Sequence, residues 1–96
     1  MRIRNFMHKG LRQLYEEDNA RSVPAVTVSK LRNMLAVLDD LQSTEELRAL
    51  VFWRPHQLSG DRRGTWSLFV TRNWRMTFWV DDEESSICDL NLEDYH

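Results

Sequence analysis

Ninety-six residues suffice for one hydrophobic core and are too few for two, so a single domain over 1–96 is expected. Hydrophobic residues at 42%, charged residues at 29%, three Gly and two Pro exclude a disordered or low-complexity segment. The net charge of −2 conceals a basic stretch at residues 54–79 (Arg54, Arg62, Arg63, Arg72 and Arg75 against Asp61) beside an acidic end; exposed charges farther apart than about 8–10 Å are largely screened from one another at physiological salt, so overall acidity does not exclude a basic patch.

The first expected element is a short strand, "IRNF", where Ile3 and Phe6 stand among basic residues. In "HKGLRQLYEED", Leu11, Leu14 and Tyr15 fall at i, i+3 and i+4, which predicts a short helix with one buried stripe. "SVPAVTVSKLRNMLAVLDDL" predicts a longer one: Val28, Leu31, Leu35 and Leu38 recur at three- and four-residue steps, with Pro24 near the start, where a missing N–H costs least. "STEELRAL" sets Ser43 three residues before Glu46, a capping-box pattern for one more short helix.

From about residue 50 the period changes to two. "TWSLFVT" puts Trp66, Leu68 and Val70 on one face. "WRMTFWV" puts Trp74, Met76, Phe78 and Val80 on one face and Arg75, Thr77 and Trp79 on the other. Arg72 and Asn73 lie between these strands, and Asn tolerates the left-handed backbone of a tight hairpin. "DDEESS" forms the next turn and "ICDLNL" the last strand. The expectation is an α+β fold, helices packed on one face of a small, mainly antiparallel sheet. Cys88 cannot form an internal disulfide, and its neighbours Ile87 and Leu90 point to a buried thiol.

His8, His56 and His96 lack HxxxH spacing and there is no CxxC pair, so no metal site is expected. Neither a Gly-rich phosphate loop nor a GxSxG elbow is present, and no cofactor is implied. What remains is "RPHQLSGDRRGTW", "TRNWR" and the terminal "DYH", which supply imidazoles, a phenol, a carboxylate and several arginines. That set suits metal-free RNA cleavage: a base takes the ribose 2′-OH proton, an acid protonates the leaving 5′-oxygen, and a cation stabilises the phosphate charge. Solvated loops and strand faces use the same residue types.

Four blocks carry a resemblance: "FMHKGL", the run from His56 to Leu68 (H-x-L-x-G-x-R-x-G-x-W-S-L), "NWRMTF" at 73–78, and the closing "EDYH". In this order and spacing they resemble the HigB family of the RelE toxin superfamily, from bacterial type II toxin–antitoxin pairs. Residues 16–50 are similar in helical character only. The resemblance implies a RelE-like, microbial ribonuclease-like fold and a ribosome-dependent endoribonuclease that cuts mRNA in the ribosomal A site. It also implies a helix-turn-helix antitoxin of the HigA type, with operator DNA bound only through that antitoxin.

Carried over by motif position, His56, Arg75, Asp94, Tyr95 and His96 are the candidate catalytic residues, and Lys9, Arg62, Arg63, Arg72 and Asn73 the candidate RNA contacts. Ser59 stands where the family often has Lys. A carboxylate beside an imidazole favours its charged form, so Asp94 and the terminal carboxylate suit His96 to acid duty and leave His56 as base. The two roles are exchangeable on sequence grounds. The rival expectations are a toxin of this fold that blocks its target by binding, and a non-catalytic protein-binding relative.

Overall fold

The computed structural model describes residues 1–95; the candidate His96 lies outside the described residues. Within them the element order is β1 (Arg2–Ile3), α1 (Lys9–Glu17), α2 (Val28–Asp40), α3 (Thr44–Arg48), β2 (His56–Gln57), β3 (Trp66–Thr71), β4 (Trp74–Asp81) and β5 (Ser86–Asp94). The strands form one sheet in the order β1-β5-β4-β3-β2. Pairing is antiparallel from β2 through β5, while β1 joins β5 in parallel. A bridge from Phe6 to Leu90 extends that parallel edge. The expected α+β architecture is present, and no helix among the described residues is long and apolar enough to cross a membrane.

The helices cover one sheet face. Leu31, Met34, Leu35 and Leu38 of α2 and Leu11 and Leu14 of α1 are buried with Trp66, Leu68, Val70, Met76, Phe78, Ile87, Leu90 and Leu92. Burial of this apolar surface is the main force pressing helices onto sheet. Gly10 lets α1 approach the chain at Ser22, since a Cβ there would collide with the Ser22 carbonyl.

Several elements differ from the sequence expectation. Tyr15 leaves the buried stripe of α1: it is 37% exposed, its hydroxyl donates to Asp39 at 2.8 Å, and its ring packs on Phe6. The long helix is preceded by a separate 3₁₀ turn at Ala25–Thr27, closed by Thr27 Oγ1 donating to the Pro24 carbonyl at 2.6 Å. Ser43 caps α3 as expected, accepting from Glu46 N–H at 3.3 Å, but Glu46 reaches back to Gln42 N–H at 2.8 Å. The β3–β4 turn does not use a left-handed Asn73; the register shifts between Phe69 and Thr71 instead. An extra strand residue lets an ordinary turn join twisted strands.

A second irregularity lies between Thr77–Trp79 and Cys88–Asn91, where Asp89 adopts φ 55°. The inserted residue explains how Ile87 and Leu90, three apart, both reach the core. Cys88, opposite Trp79, is buried as expected, but its cover is the Arg4 side chain, which donates to Sγ at 2.6 and 3.2 Å.

Candidate active site

Strand alternation builds the face away from the helices. His56 pairs with Ser67, Ser67 with Thr77 and Thr77 with Asn91, a single row across four strands. Directly paired residues project to the same side of a sheet, so this row shares one face. The next row runs from Phe69 to Arg75 to Glu93. His56, on edge strand β2, and Thr77 stand roughly 10 Å apart across two strand spacings. Its place at the start of a two-residue strand was not foreseen from the sequence.

His56 is exposed, and Nδ1 lies 3.0 Å from the Arg54 carbonyl. A carbonyl only accepts, so Nδ1 carries the hydrogen, and in the neutral ring Nε2 keeps its lone pair. Arg54 makes this possible by turning the chain with φ 49° immediately before Pro55.

Arg75 is fixed from two directions. Nη1 donates to the carbonyls of Thr71 (2.7 Å), Trp74 (3.1 Å) and Arg72 (3.4 Å), all at the end of the hairpin. Its guanidinium carbon lies 4.7 Å from the Phe69 ring centroid and 4.0 Å from that of Tyr95. Tyr95 reaches it because β5 runs on past the hairpin, held by Tyr95 N–H donating to the Asn73 carbonyl at 2.7 Å. Such stacking restrains a long side chain while leaving its remaining N–H donors free.

Arg62 has a different setting. It forms a two-point ion pair with Glu93, with Nη1 donating to Oε1 at 3.0 Å, and Thr77 Oγ1 donates to the same carboxylate. The Arg62 hydrogen bonds, with smaller help from Thr77, hold the Glu93 carboxyl below its usual range against the opposing effect of burial. These groups line a cavity of about 380 Å³ with Met7, Trp79 and Asn91.

His56, Arg75, Tyr95 and Arg62 thus meet on one face. Asp94 pairs with Trp74, which gives it the opposite alternation, at the end of the sheet. Arg63 is exposed after a 3₁₀ turn, Arg72 and Asn73 are exposed in the hairpin turn, and Lys9 is exposed at the start of α1, two residues past the cavity-lining Met7. Among the described residues, no group of three or more His, Cys, Asp or Glu side chains could hold a metal ion. Sequence reasoning missed Glu93, Ser67 and Asn91. Their only signal was strand parity, which the inserted residue at Asp89 interrupts before it reaches Asn91.

Helices on one side of a mainly antiparallel five-stranded sheet, with a polar and aromatic open face, define the RelE-like class of α+β domains. The family model described as "RelE-like toxin of type II toxin-antitoxin system HigB" matches residues 4–96, and the chain belongs to this HigB-like toxin family. It is 39% identical to Endoribonuclease HigB of Proteus vulgaris over 94 residues, covering 98% of this chain and 99% of that protein. It is 35% identical to Toxin HigB-1 of Vibrio cholerae serotype O1 over 78 residues, covering 79% and 82%.

Proposed function

We propose that this chain is the toxin of a type II pair and an endoribonuclease that cuts mRNA in the ribosomal A site, without a metal ion. The observation that carries the reading is the shared face: His56 with a free Nε2, and Arg75 clamped between carbonyls and rings in the adjoining row. Family membership and the endoribonuclease relative support the same activity.

In this mechanism His56 Nε2 removes the 2′-OH proton, the O2′–P bond forms and the P–O5′ bond breaks. His96 donates the proton that the leaving 5′-oxygen takes up, with Asp94 as its positioning residue. Arg75 meets the negative charge that gathers on the non-bridging oxygens, where a preoriented cation acts most strongly. Tyr95 holds Arg75 in place and offers a ring for a base. The products are a 2′,3′-cyclic phosphate and a 5′-hydroxyl end. Arg63, Arg72, Asn73, Lys9 and the ion-paired Arg62 are the wider RNA contacts. A helix-turn-helix antitoxin of the HigA type is the neutralising partner and the route to operator DNA, and the toxin works in the cytoplasm.

Single-turnover cleavage on programmed ribosomes tests the reading. The expected result is cutting within the A-site codon that is abolished by a 2′-deoxy substitution at the scissile nucleotide. Cuts leaving 3′-hydroxyl and 5′-phosphate ends would overturn the 2′-OH mechanism. Growth arrest on induction without any cut mRNA would replace the enzyme with a toxin that blocks by binding.

A further inference from the structure

Phe69 is a partly exposed aromatic residue around which three cations converge. Besides Arg75 at 4.7 Å, the Arg54 guanidinium lies 5.2 Å from its ring centroid and the Lys30 ammonium 5.6 Å. They come from β4, from the corner before β2 and from α2, so only the tertiary fold assembles them. None of the four ion pairs among the described residues uses any of the three. With all three within 5.6 Å of one ring centroid, they are close on the scale of the Debye length, about 8 Å at physiological salt, so their charges repel, and one ring's negative face offsets little of that.

The irregular end of β3 creates the arrangement. Lys30 Nζ donates to the Val70 carbonyl at 2.9 Å and Arg75 to the Thr71 carbonyl at 2.7 Å, which anchors both cations beside the register shift. Lys has three donors and Arg five, so hydrogen-bonding capacity remains on every member of the cluster. Phe69 follows Ser67 by one two-residue strand repeat, beside the His56 row. The cluster also lies along β2 on the opposite side of His56 from Ser59.

We infer that Lys30 and Arg54, set around Phe69, form a seat for the RNA phosphate that flanks the scissile one. Arg75 serves the scissile phosphate and completes the wall between the two. The seat rests on the reading of this face as an RNA-cleaving site, and it places the positive pole at the Phe69 end rather than at Ser59. The cavity by Glu93 and Asp89 has instead two carboxylates against one cation, Arg62, which is already ion-paired with Glu93.

The probe is a short single-stranded RNA with 2′-O-methyl sugars throughout, which cannot be cut. Its binding to the full-length toxin is followed by fluorescence anisotropy between about 50 and 200 mM KCl. Loss of one phosphate contact on a single strand lowers the slope of log K against log salt by about 0.7. Lys30→Gln and Arg54→Gln are each expected to lose that much, the double variant about twice as much, and Arg54→Lys to recover it. Arg12→Ala, remote in its pair with Glu16, is expected to keep the wild-type slope. Unchanged slopes in the two Gln variants, or no binding by the wild type at low salt, would overturn the seat. Ribosomal cleavage by the same wild-type preparation reports separately: cutting with unchanged slopes removes only the seat, and no cutting removes the enzymatic reading while the slopes still decide the seat.

Discussion

The Arg75 guanidinium carbon lies 4.0 Å from the centroid of the Tyr95 ring, and the carbonyl ring of contacts at the hairpin holds the same side chain from below. A planar cation stacks in this way and an ammonium does not, so the two basic residues are not interchangeable here. Arg75→Lys is expected to lower kcat by about 10²–10³-fold, the range for losing one transition-state donor. Tyr95→Phe keeps the ring and should stay within a few-fold of wild type, whereas Tyr95→Ala should fall between the two. Single-turnover cleavage on programmed ribosomes, with melting temperature as the folding control, measures all three. Wild-type rates in Arg75→Lys would remove Arg75 from the mechanism.

His56 has its tautomer set by the Arg54 carbonyl, which leaves Nε2 as the basic nitrogen. A general base contributes about 10²–10⁴-fold, and His56→Ala should lose that range in kcat. Wild-type rates in His56→Ala would assign the base to a different group.

How far the site was legible in the sequence depends on the range of the contacts that make it. The alternation in residues 74–80 placed Arg75, Thr77 and Trp79 together on the face away from Met76 and Phe78, because strand period is a local property. The register shifts at Phe69–Thr71 and at Asp89 left no compositional mark, since one inserted residue changes parity without changing residue type. Lys30 was unreadable for another reason: its place beside Phe69 follows from how α2 packs across the sheet, forty residues away in the chain from the Val70 carbonyl it contacts. The motif block that contained Arg62 gave no hint of Glu93, its partner 31 residues on.

That Arg62–Glu93 pair leads to a stability forecast. The Arg62 side chain is 49% exposed and that of Glu93 29%, so solvent screening keeps the coupling near the surface-pair range of about 0.2–1 kcal/mol. A double-mutant cycle of Arg62→Ala and Glu93→Gln, read by urea denaturation, should return a coupling in that range that shrinks as salt is raised. Glu93 has a lowered folded pKa, so its contribution is fully present above about pH 4.5 and is lost as pH falls through the folded value. A coupling near zero at low salt would show that Thr77 alone holds the carboxylate.

His8 uses its ring in the sense opposite to His56. It caps α1 by accepting the Leu11 N–H on Nδ1 at 3.1 Å, so that nitrogen must carry a lone pair and the ring must be neutral. Burial pushes its pKa below the ordinary histidine value, and a hydrogen bond involving its own backbone opposes the shift only in part. The unfolded chain therefore binds a proton at higher pH than the folded one, and stability rises with pH across that interval. The contribution is complete above the unfolded value of about 6.5 and is lost as pH falls toward the lower folded value. Asn caps helices through a side-chain oxygen that does not titrate in this range, so His8→Asn should keep α1 capped and flatten that part of the profile. Melting temperatures of wild type and His8→Asn between about pH 5 and 7.5 bracket the histidine range and should converge at the upper end and separate at the lower. Parallel curves would show that protonation of His8 does not compete with the cap.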